Sequence, residues 1–340
     1  MARKGGLRRC GSKSRGFRYY DAKGRELTDP AKLERIDQLR IPPAWRDVWI
    51  SPSPGAKLQA VGLDRAGRKQ YLYSAAFRAQ QEQAKYDKLV RFGERLPTIR
   101  TAMADDMDRE HLDRARVCAI ALRLINLGWF RPGSERYAKE SRTYGITTLR
   151  KRHVTVRGSR IALNFRGKHK VWVRTAVLDA ELADALKELI ALRGGRGLFR
   201  YRGEEGELVS LTDRHLNQYV QEHMGDDFTV KDFRTWGGTL LAAIGLAEHG
   251  AVEGETQAKK NVTAVCRSVA EKLGNTPAVC RASYISPPVI EQYLDGRTIA
   301  DFRPRHLRVV SARDTGLDLE EQALLSLLRS WRIKEGLAAA

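Results

Sequence analysis

From Ser141 to Leu178 the chain carries ten Lys or Arg residues and no Asp or Glu. The same stretch alternates apolar and polar residues in His153 to Val156, Arg160 to Phe165 and Val171 to Val173. Turn sequences Arg157-Gly158-Ser159 and Arg166-Gly167-Lys168 separate these runs. Period-two alternation sends successive side chains to opposite faces of a sheet. The segment is therefore expected to fold as a three-stranded hairpin sheet with one positive face. Charge that serves only solubility mixes both signs, whereas a single-sign face of duplex dimensions attracts a polyanion. The whole chain leans the same way, with 61 Lys and Arg against 41 Asp and Glu and a net charge of +20. Nucleic acid is the first partner to expect. A cationic membrane-surface protein is the competing reading, but no stretch approaches the ~18 uninterrupted apolar residues of a spanning helix. Met1 to Tyr20 has no apolar core of a signal peptide. A cytoplasmic, nucleoid-associated location is expected.

With 42% apolar residues the chain can bury real cores, and 340 residues suit two domains of ~150 residues each. The pattern reads as an α+β fold. A small antiparallel β-rich N-terminal domain spans about 1–90, and a larger, mainly helical domain containing the three-stranded sheet spans about 91–340. Residues 1 to 16 form a basic, Gly-rich arm expected to be mobile until it meets an anion. Phe17 to Tyr20 and Arg25 to Leu27 flank the turn Asp21-Ala22-Lys23-Gly24. Leu58 to Leu63 and Gln70 to Tyr73 flank Asp64-Arg65-Ala66-Gly67. A helix is expected over Ala75 to Leu89, a linker with Gly93 and Pro97 over Arg91 to Thr101, and a helix from Asp105 to Leu127. The cluster Asp105-Asp106-Met107-Asp108 fits the first turn of that helix better than it fits a metal site. Further helices are expected near 179–193, 212–224, 231–248, 256–273 and 318–333. Cys10, Cys118, Cys266 and Cys280 form no C-x-x-C pair and read as reduced thiols.

Three chemistries lack their motifs. There is no G-x-x-x-x-G-K-[ST] phosphate loop, no G-x-S-x-G and no H-E-x-x-H. No segment pairs carboxylates convincingly for two-metal phosphoryl transfer. What remains is phosphate chemistry done with cations and a side-chain nucleophile. Cleaving a phosphodiester this way needs donors on the non-bridging oxygens, for which the bidentate and permanently charged guanidinium is suited. It also needs an in-line nucleophile and an acid for the departing alkoxide. Arg131 follows a helix stop in Trp129-Phe130-Arg131-Pro132-Gly133, where the next Pro biases it to extended backbone. Lys168 sits at the tip of an expected hairpin. Lys231 and Arg234 stand three apart on one face of an expected helix. Asn275 follows the helix-ending Gly274, and Tyr284 stands nine residues further on, just before Pro287-Pro288, which are expected to end the local helix.

In this order and company the residues resemble those of the compact poxvirus and bacterial type IB DNA topoisomerases. The resemblance covers about residues 17 to 300. It rests on Arg136-Tyr137-Ala138-Lys139-Glu140 with Thr143-Tyr144-Gly145-Ile146-Thr147-Thr148-Leu149, on Lys231-Asp232-Phe233-Arg234-Thr235, and on Lys272-Leu273-Gly274-Asn275-Thr276-Pro277 running to Ser283-Tyr284. The family's order Arg, Lys, Arg, His or Asn, Tyr falls on Arg131, Lys168, Arg234, Asn275 and Tyr284. The resemblance implies that Tyr284 attacks one strand of duplex DNA, forms a 3′-phosphotyrosyl link and expels a 5′-hydroxyl. Arg131 and Arg234 would clamp the phosphate, Asn275 would donate to a non-bridging oxygen, and Lys168 would protonate the leaving oxygen, with Lys231 as a second cation nearby. The free strand would swivel and be resealed, with no metal, ATP or other cofactor and with the enzyme acting as a monomer. Gln70, Tyr71 and Tyr73 match the family strand that enters the major groove, and Tyr137 resembles a phosphate contact.

The chain departs from the family pattern in a few places. Asn275 stands where many relatives have a potentially cationic His, Pro132 and Ser134 replace an aliphatic residue and Asn, and His169 replaces an Asp found in some. A tyrosine recombinase shares the Tyr and Arg arrangement but typically carries His three residues before the second Arg, where this chain has Lys231. A non-catalytic, basic duplex-binding protein would explain the charge but not the ordered residues.

Overall fold

The computed structural model describes residues 5–303 and 316–338. The chain divides into two compact units, Met1–Asp87 and Lys88–Ala340.

The first unit is built on a five-stranded antiparallel sheet of β1 (Leu7–Ser12), β2 (Gly16–Tyr20), β3 (Arg46–Ile50), β4 (Leu58–Leu63) and β5 (Lys69–Tyr73), in the order β2-β1-β3-β4-β5. Helix α1 (Pro30–Gln38) starts with Pro at its first turn under an Asp29 cap. Its Ile36 packs with Leu7, Val48, Ile50 and Ala60 in a small core. Two turns with the same Asp-x-x-Gly-Arg sequence use the same device. Asp21 accepts from the backbone N–H groups of Lys23 and Arg25, and Asp64 from those of Ala66 and Arg68. Gly24 and Gly67 supply the positive φ that each turn requires.

The expected mobile arm is corrected here. Residues 1–4 lie outside the described residues, but Leu7–Ser12 is β1, paired with both β2 and β3. Arg9 is a structural cation. It donates to the carbonyls of Ile41, Pro42 and Trp45 at 3.2, 3.0 and 2.8 Å, and its guanidinium lies 4.3 Å from the Phe17 ring centroid. The expected strand Arg25 to Leu27 is only an isolated bridge from Glu26 to Tyr20.

Helix α2 runs unbroken over Ala75–Met107. The expected linker at 91–101 is therefore helix, with Pro97 inside it and Phe92, Leu96, Ile99 and Met103 buried at helical spacing. A Cβ at Gly93 would come within 2.5 Å of the Trp236 ring, so this glycine permits close packing and breaks nothing. The expected helix from Asp105 to Leu127 is two elements. Asp105 and Asp106 end α2, and α3 (Arg114–Gly128) begins separately under an Asp113 cap. The carboxylate of Asp106, at the unfavourable end of a helix, is held by the Tyr219 hydroxyl at 2.7 Å.

Helix α3 is the hub of the larger core, with Val117 to Leu122, Leu124 and Ile125 all buried. Around it follow α4 (Glu135–Glu140), the antiparallel sheet β6 (Val154–Arg157), β7 (Arg160–Arg166) and β8 (Trp172–Leu178), and α5 (Ala180–Ala191). The hairpin β9 (Arg200–Arg202) and β10 (Leu208–Ser210) leads to α6 (Asp213–Met224), α7 (Val230–His249), α8 (Glu255–Leu273), α9 (Pro277–Ser283), α10 (Pro287–Leu294) and α11 (Leu319–Ala338). The structure thus has the expected α+β class, with a β-rich first unit and a mainly helical second unit that contains a three-stranded sheet. Among the described residues no helix is long and apolar enough to cross a membrane.

Candidate active site

Five short segments place the site. α3 stops because Trp129 takes a left-handed conformation, with its N–H bonded to Ile125 O. Arg131 follows two residues later, and its carbonyl accepts from Ile146 N–H at 3.0 Å. α7 carries Arg234 one turn from its start, 4% exposed. α8 ends at Gly274 in the left-handed region, and Asn275 N–H closes back onto Ala270 O at 2.9 Å. That closure leaves the last carbonyls of α8 facing outward, and the two guanidiniums cap them. Arg234 donates to Leu273 O at 2.8 Å and also to Trp129 O, while Arg131 donates to Gly274 O at 3.2 Å. Cations belong at this negative end of a helix. Arg131 also donates to Asn275 Oδ1 at 2.6 Å.

Helix α9 opens on Pro277 under a Thr276 cap and ends at Tyr284, whose N–H reaches Cys280 O at 2.9 Å. The prolines Pro287-Pro288 open α10 and do not end α9, a correction to the expectation. Tyr284 is half-buried, with the Arg234 guanidinium 5.2 Å from its ring centroid. Its backbone is pinned from α7. Thr239 Oγ1 shares its one proton between Thr235 O at 2.8 Å and Tyr284 O at 3.1 Å, and accepts from Ser286 N–H at 3.1 Å. Two glycines let the neighbours come this close. A Cβ on Gly237 would lie 2.1 Å from the Trp129 ring, and one on Gly238 would lie 2.7 Å from Tyr284 O. These residues were not singled out from the sequence, although paired glycines inside a helical pattern are a signal of close packing.

Burial lowers the pKa of both guanidiniums, that of Arg234 to about 10, where the neighbouring Arg131 charge adds to the effect. Both remain cations at neutral pH. Among the described residues, neither has a carboxylate within ion-pair distance. Arg234 Nε and Asn275 Nδ2 are buried donors with no hydrogen-bond partner in the protein. Unpaired buried charge is costly, and an anion bound here would supply the missing acceptors. Cys280, also close to both arginines, has its thiol pushed up to about 11 by burial and stays protonated. The Tyr284 hydroxyl is the other candidate nucleophile of the cluster.

Lys168 lies exposed in a one-turn 3₁₀ segment, Lys168–Lys170, between β7 and β8. Gly167 N–H bonded to Val171 O at 2.7 Å closes this turn, and Tyr144 N–H bonded to Arg166 O at 2.7 Å anchors its base. Lys168, Arg131 and Arg234 line one hollow of about 670 Å³. Lys231 lies exposed on the first turn of α7 and is not among the residues lining that hollow. Asn275 and Tyr284 are likewise not among the lining residues, so the hollow brings together three of the five expected catalytic residues. Tyr137 is exposed on α4.

In the first unit, Tyr71 and Tyr73 project from edge strand β5 with their rings 6.3 Å apart. Gln70 alternates to the opposite face and donates to Asp64 at 3.0 Å, so the structure separates it from the two tyrosines. The tyrosine face has further members that sequence reasoning missed. Arg8, Trp49, Val61 and Tyr71 pair in register across four strands and border a hollow of about 530 Å³.

Comparison with known proteins agrees with this geometry. The family described as eukaryotic DNA topoisomerase I, catalytic core, matches residues 74–296, and the bacterial DNA topoisomerase IB N-terminal domain matches residues 16–64. The chain is 35% identical over 284 residues to DNA topoisomerase 1B of Acanthamoeba polyphaga mimivirus, covering 82% of this chain and 84% of that one. It is 23% identical over 273 residues to DNA topoisomerase I of Monkeypox virus, covering 78% and 83%. One buried and one half-buried arginine beside a tyrosine, carried on a chain with these relatives, mark an enzyme, and the chain belongs to the type IB DNA topoisomerase family.

Proposed function

We propose that this enzyme relaxes supercoiled duplex DNA by cutting one strand through Tyr284, letting it swivel, and resealing it. The observation that carries the reading is the pair of guanidiniums beside Tyr284, that of Arg234 buried and that of Arg131 half-buried, uncompensated by any carboxylate among the described residues. A scissile phosphate supplies the negative charge this site lacks. The phenol oxygen of Tyr284 attacks phosphorus, and both arginines neutralise the non-bridging oxygens as the pentacoordinate centre forms. Asn275 Nδ2 adds a neutral hydrogen bond. The bond to the 5′ oxygen breaks, Lys168 donates its proton to that oxygen, and the phenolic proton leaves to solvent. The product is a 3′-phosphotyrosyl ester and a 5′-hydroxyl. One phosphate ester has been exchanged for another, so resealing by the reverse attack needs neither ATP nor a metal ion.

Lys231 serves as an additional cation along the backbone. Tyr71, Tyr73 and Tyr137 contact the duplex, and Gln70 joins them only after leaving Asp64. A single protomer carries every catalytic group.

Incubating the protein with supercoiled plasmid in magnesium-free, ATP-free buffer should yield relaxed circles and, on denaturation, a covalent DNA–protein adduct. Tyr284→Phe should retain duplex binding and lose both products. Relaxation by that variant would contradict the assignment.

A further inference from the structure

We propose that Trp172, held between Arg166 and Arg174, is the seat of the strand that bears the free 5′-hydroxyl. This inference rests on the reaction proposed above and adds a residue that none of the comparisons assigns. Trp172 is 53% exposed, an unusual position for a side chain whose burial would be favourable. It is nonetheless held. The Arg166 guanidinium lies 5.9 Å from its ring centroid and that of Arg174 5.5 Å. Arg166 is its cross-strand partner in the β7–β8 pair, and Arg174 lies two residues along the same face of β8. Among the described residues neither arginine forms an ion pair with a carboxylate, and no acidic residue occurs anywhere from Ser141 to Leu178. An aromatic face flanked by two free guanidiniums suits single-stranded nucleic acid. The ring takes a base or sugar, and the cations take the phosphates on either side.

The turn identifies which strand. Trp172 directly follows the closed loop that carries Lys168, and both residues line the hollow that holds Arg131 and Arg234. Lys168 serves the leaving oxygen, so the surface continuous with Lys168 lies beside the leaving strand. A grip at this point keeps the 5′-hydroxyl within reach of the phosphotyrosine while the strand swivels, and makes rejoining favourable over loss of the end.

Rejoining can be measured apart from cutting. A substrate whose scissile strand ends a few nucleotides past the cut loses that fragment and leaves the adduct waiting for an added 5′-hydroxyl strand. For Trp172→Ala, the acceptor concentration giving half-maximal rejoining should rise roughly tenfold, the scale of one base–aromatic stack, at an unchanged maximal rate. Trp172→Phe should keep the wild-type value. Lys168→Ala should do the reverse, lowering the maximal rate at unchanged half-saturation. Equal half-saturation for Trp172→Ala and wild type overturns the proposal. So does an equal weakening of intact-duplex binding, which would place Trp172 on the duplex as a whole. If the wild-type chain forms no adduct, the failure appears before any acceptor is added and falls on the reaction itself.

Discussion

Asn275 Oδ1 accepts a hydrogen bond from Arg131 Nη2 at 2.6 Å, and this one contact decides which way the amide faces. A guanidinium only donates, so the oxygen must point to Arg131 and the NH₂ must point away. That NH₂ is the buried donor without a partner. An imidazolium in the same place could not accept from Arg131, so the Asn is a different solution to holding this arginine. Asn275→Ala should slow single-turnover cleavage about 10²-fold, as for loss of one oxyanion donor, with duplex binding retained. Asn275→Asp should be slower still, because it accepts from Arg131 but sets a negative charge against the phosphate. A wild-type rate for Asn275→Ala would show that the amide has no part in the reaction.

Lys168 has a separable role. Lys168→Ala should slow cleavage of an ordinary phosphodiester by about 10²-fold or more, the usual contribution of a positioned acid. Replacing the 5′-bridging oxygen by sulfur makes the leaving group depart without a proton. The variant should then cleave at close to the wild-type rate. A persistent defect on the sulfur substrate would make Lys168 a phosphate contact and not the acid.

Much of this was legible in the chain itself. The sheet of β6, β7 and β8 follows from alternation between Gly-containing turns, and α5 to α8 from apolar spacing, each within a few residues. α2 was less legible because Gly93 and Pro97 imitate a boundary. The glycine answers to Trp236, a residue 143 positions away that local pattern cannot reveal. β3 was hidden by Asp47, whose φ of 50° interrupts the alternation and accompanies a shift in register between Arg46 and Trp49. β1 was masked by its own basic composition, since nothing local distinguishes an arginine that caps carbonyls, as Arg9 does, from one free in solvent. Within the site, chemistry-bearing side chains announce themselves by type and order. The groups that hold them, Thr239, Gly238 and the carbonyls of Leu273 and Gly274, are known only from tertiary contact.

Two histidines predict a pH dependence of stability. Arg150 N–H donates to His153 Nδ1 at 3.1 Å, and Thr212 N–H to His215 Nδ1 at 3.3 Å. Each bond requires a neutral ring nitrogen. Burial first, then nearby arginines, lowers His153 from 6.5 to about 4 and lowers His215 in the same direction. The unfolded chain binds more protons than the folded one between these values, so this stabilisation is complete above about pH 6.5 and is lost as pH falls toward 4. Thermal midpoints should drop over that interval, and His153→Gln should flatten the drop. An identical profile for wild type and variant would remove His153 from the account.

The C-terminal helix is tied to the helices of the core by a buried pair. Glu321 takes two bonds from Arg100 at 2.7 Å each, and its Oε1 accepts from Trp236 Nε1 at 3.1 Å. Glu321→Ala leaves a mostly buried guanidinium without its partner and should cost about 3 kcal/mol, measured by denaturant unfolding. A loss below about 0.5 kcal/mol, the range of an ordinary surface substitution, would show that α11 is held by apolar packing alone.

The sharpest test of positioning is Gly238→Ala. In an ordinary helix interior this change is favourable by about 1 kcal/mol. Here the added methyl would sit 2.7 Å from Tyr284 O, 3.0 Å from Tyr284 Cβ and 3.1 Å from Leu273 Cδ1. Backbone and core atoms cannot yield as a flexible side chain would, so the segment that carries Tyr284 must shift. Overpacking of this kind costs about 1–3 kcal/mol, which helix propensity partly offsets, and the protein should remain folded. Catalysis has no such offset, since a displacement of ~1 Å can lower a rate about 10²-fold. Thr239→Val provides the comparison, removing the bond to Tyr284 O without adding bulk. We expect Gly238→Ala to bind duplex normally and cleave about 10²-fold slower, with Thr239→Val intermediate. Wild-type cleavage by Gly238→Ala would show that Tyr284 does not need the seat that α7 provides.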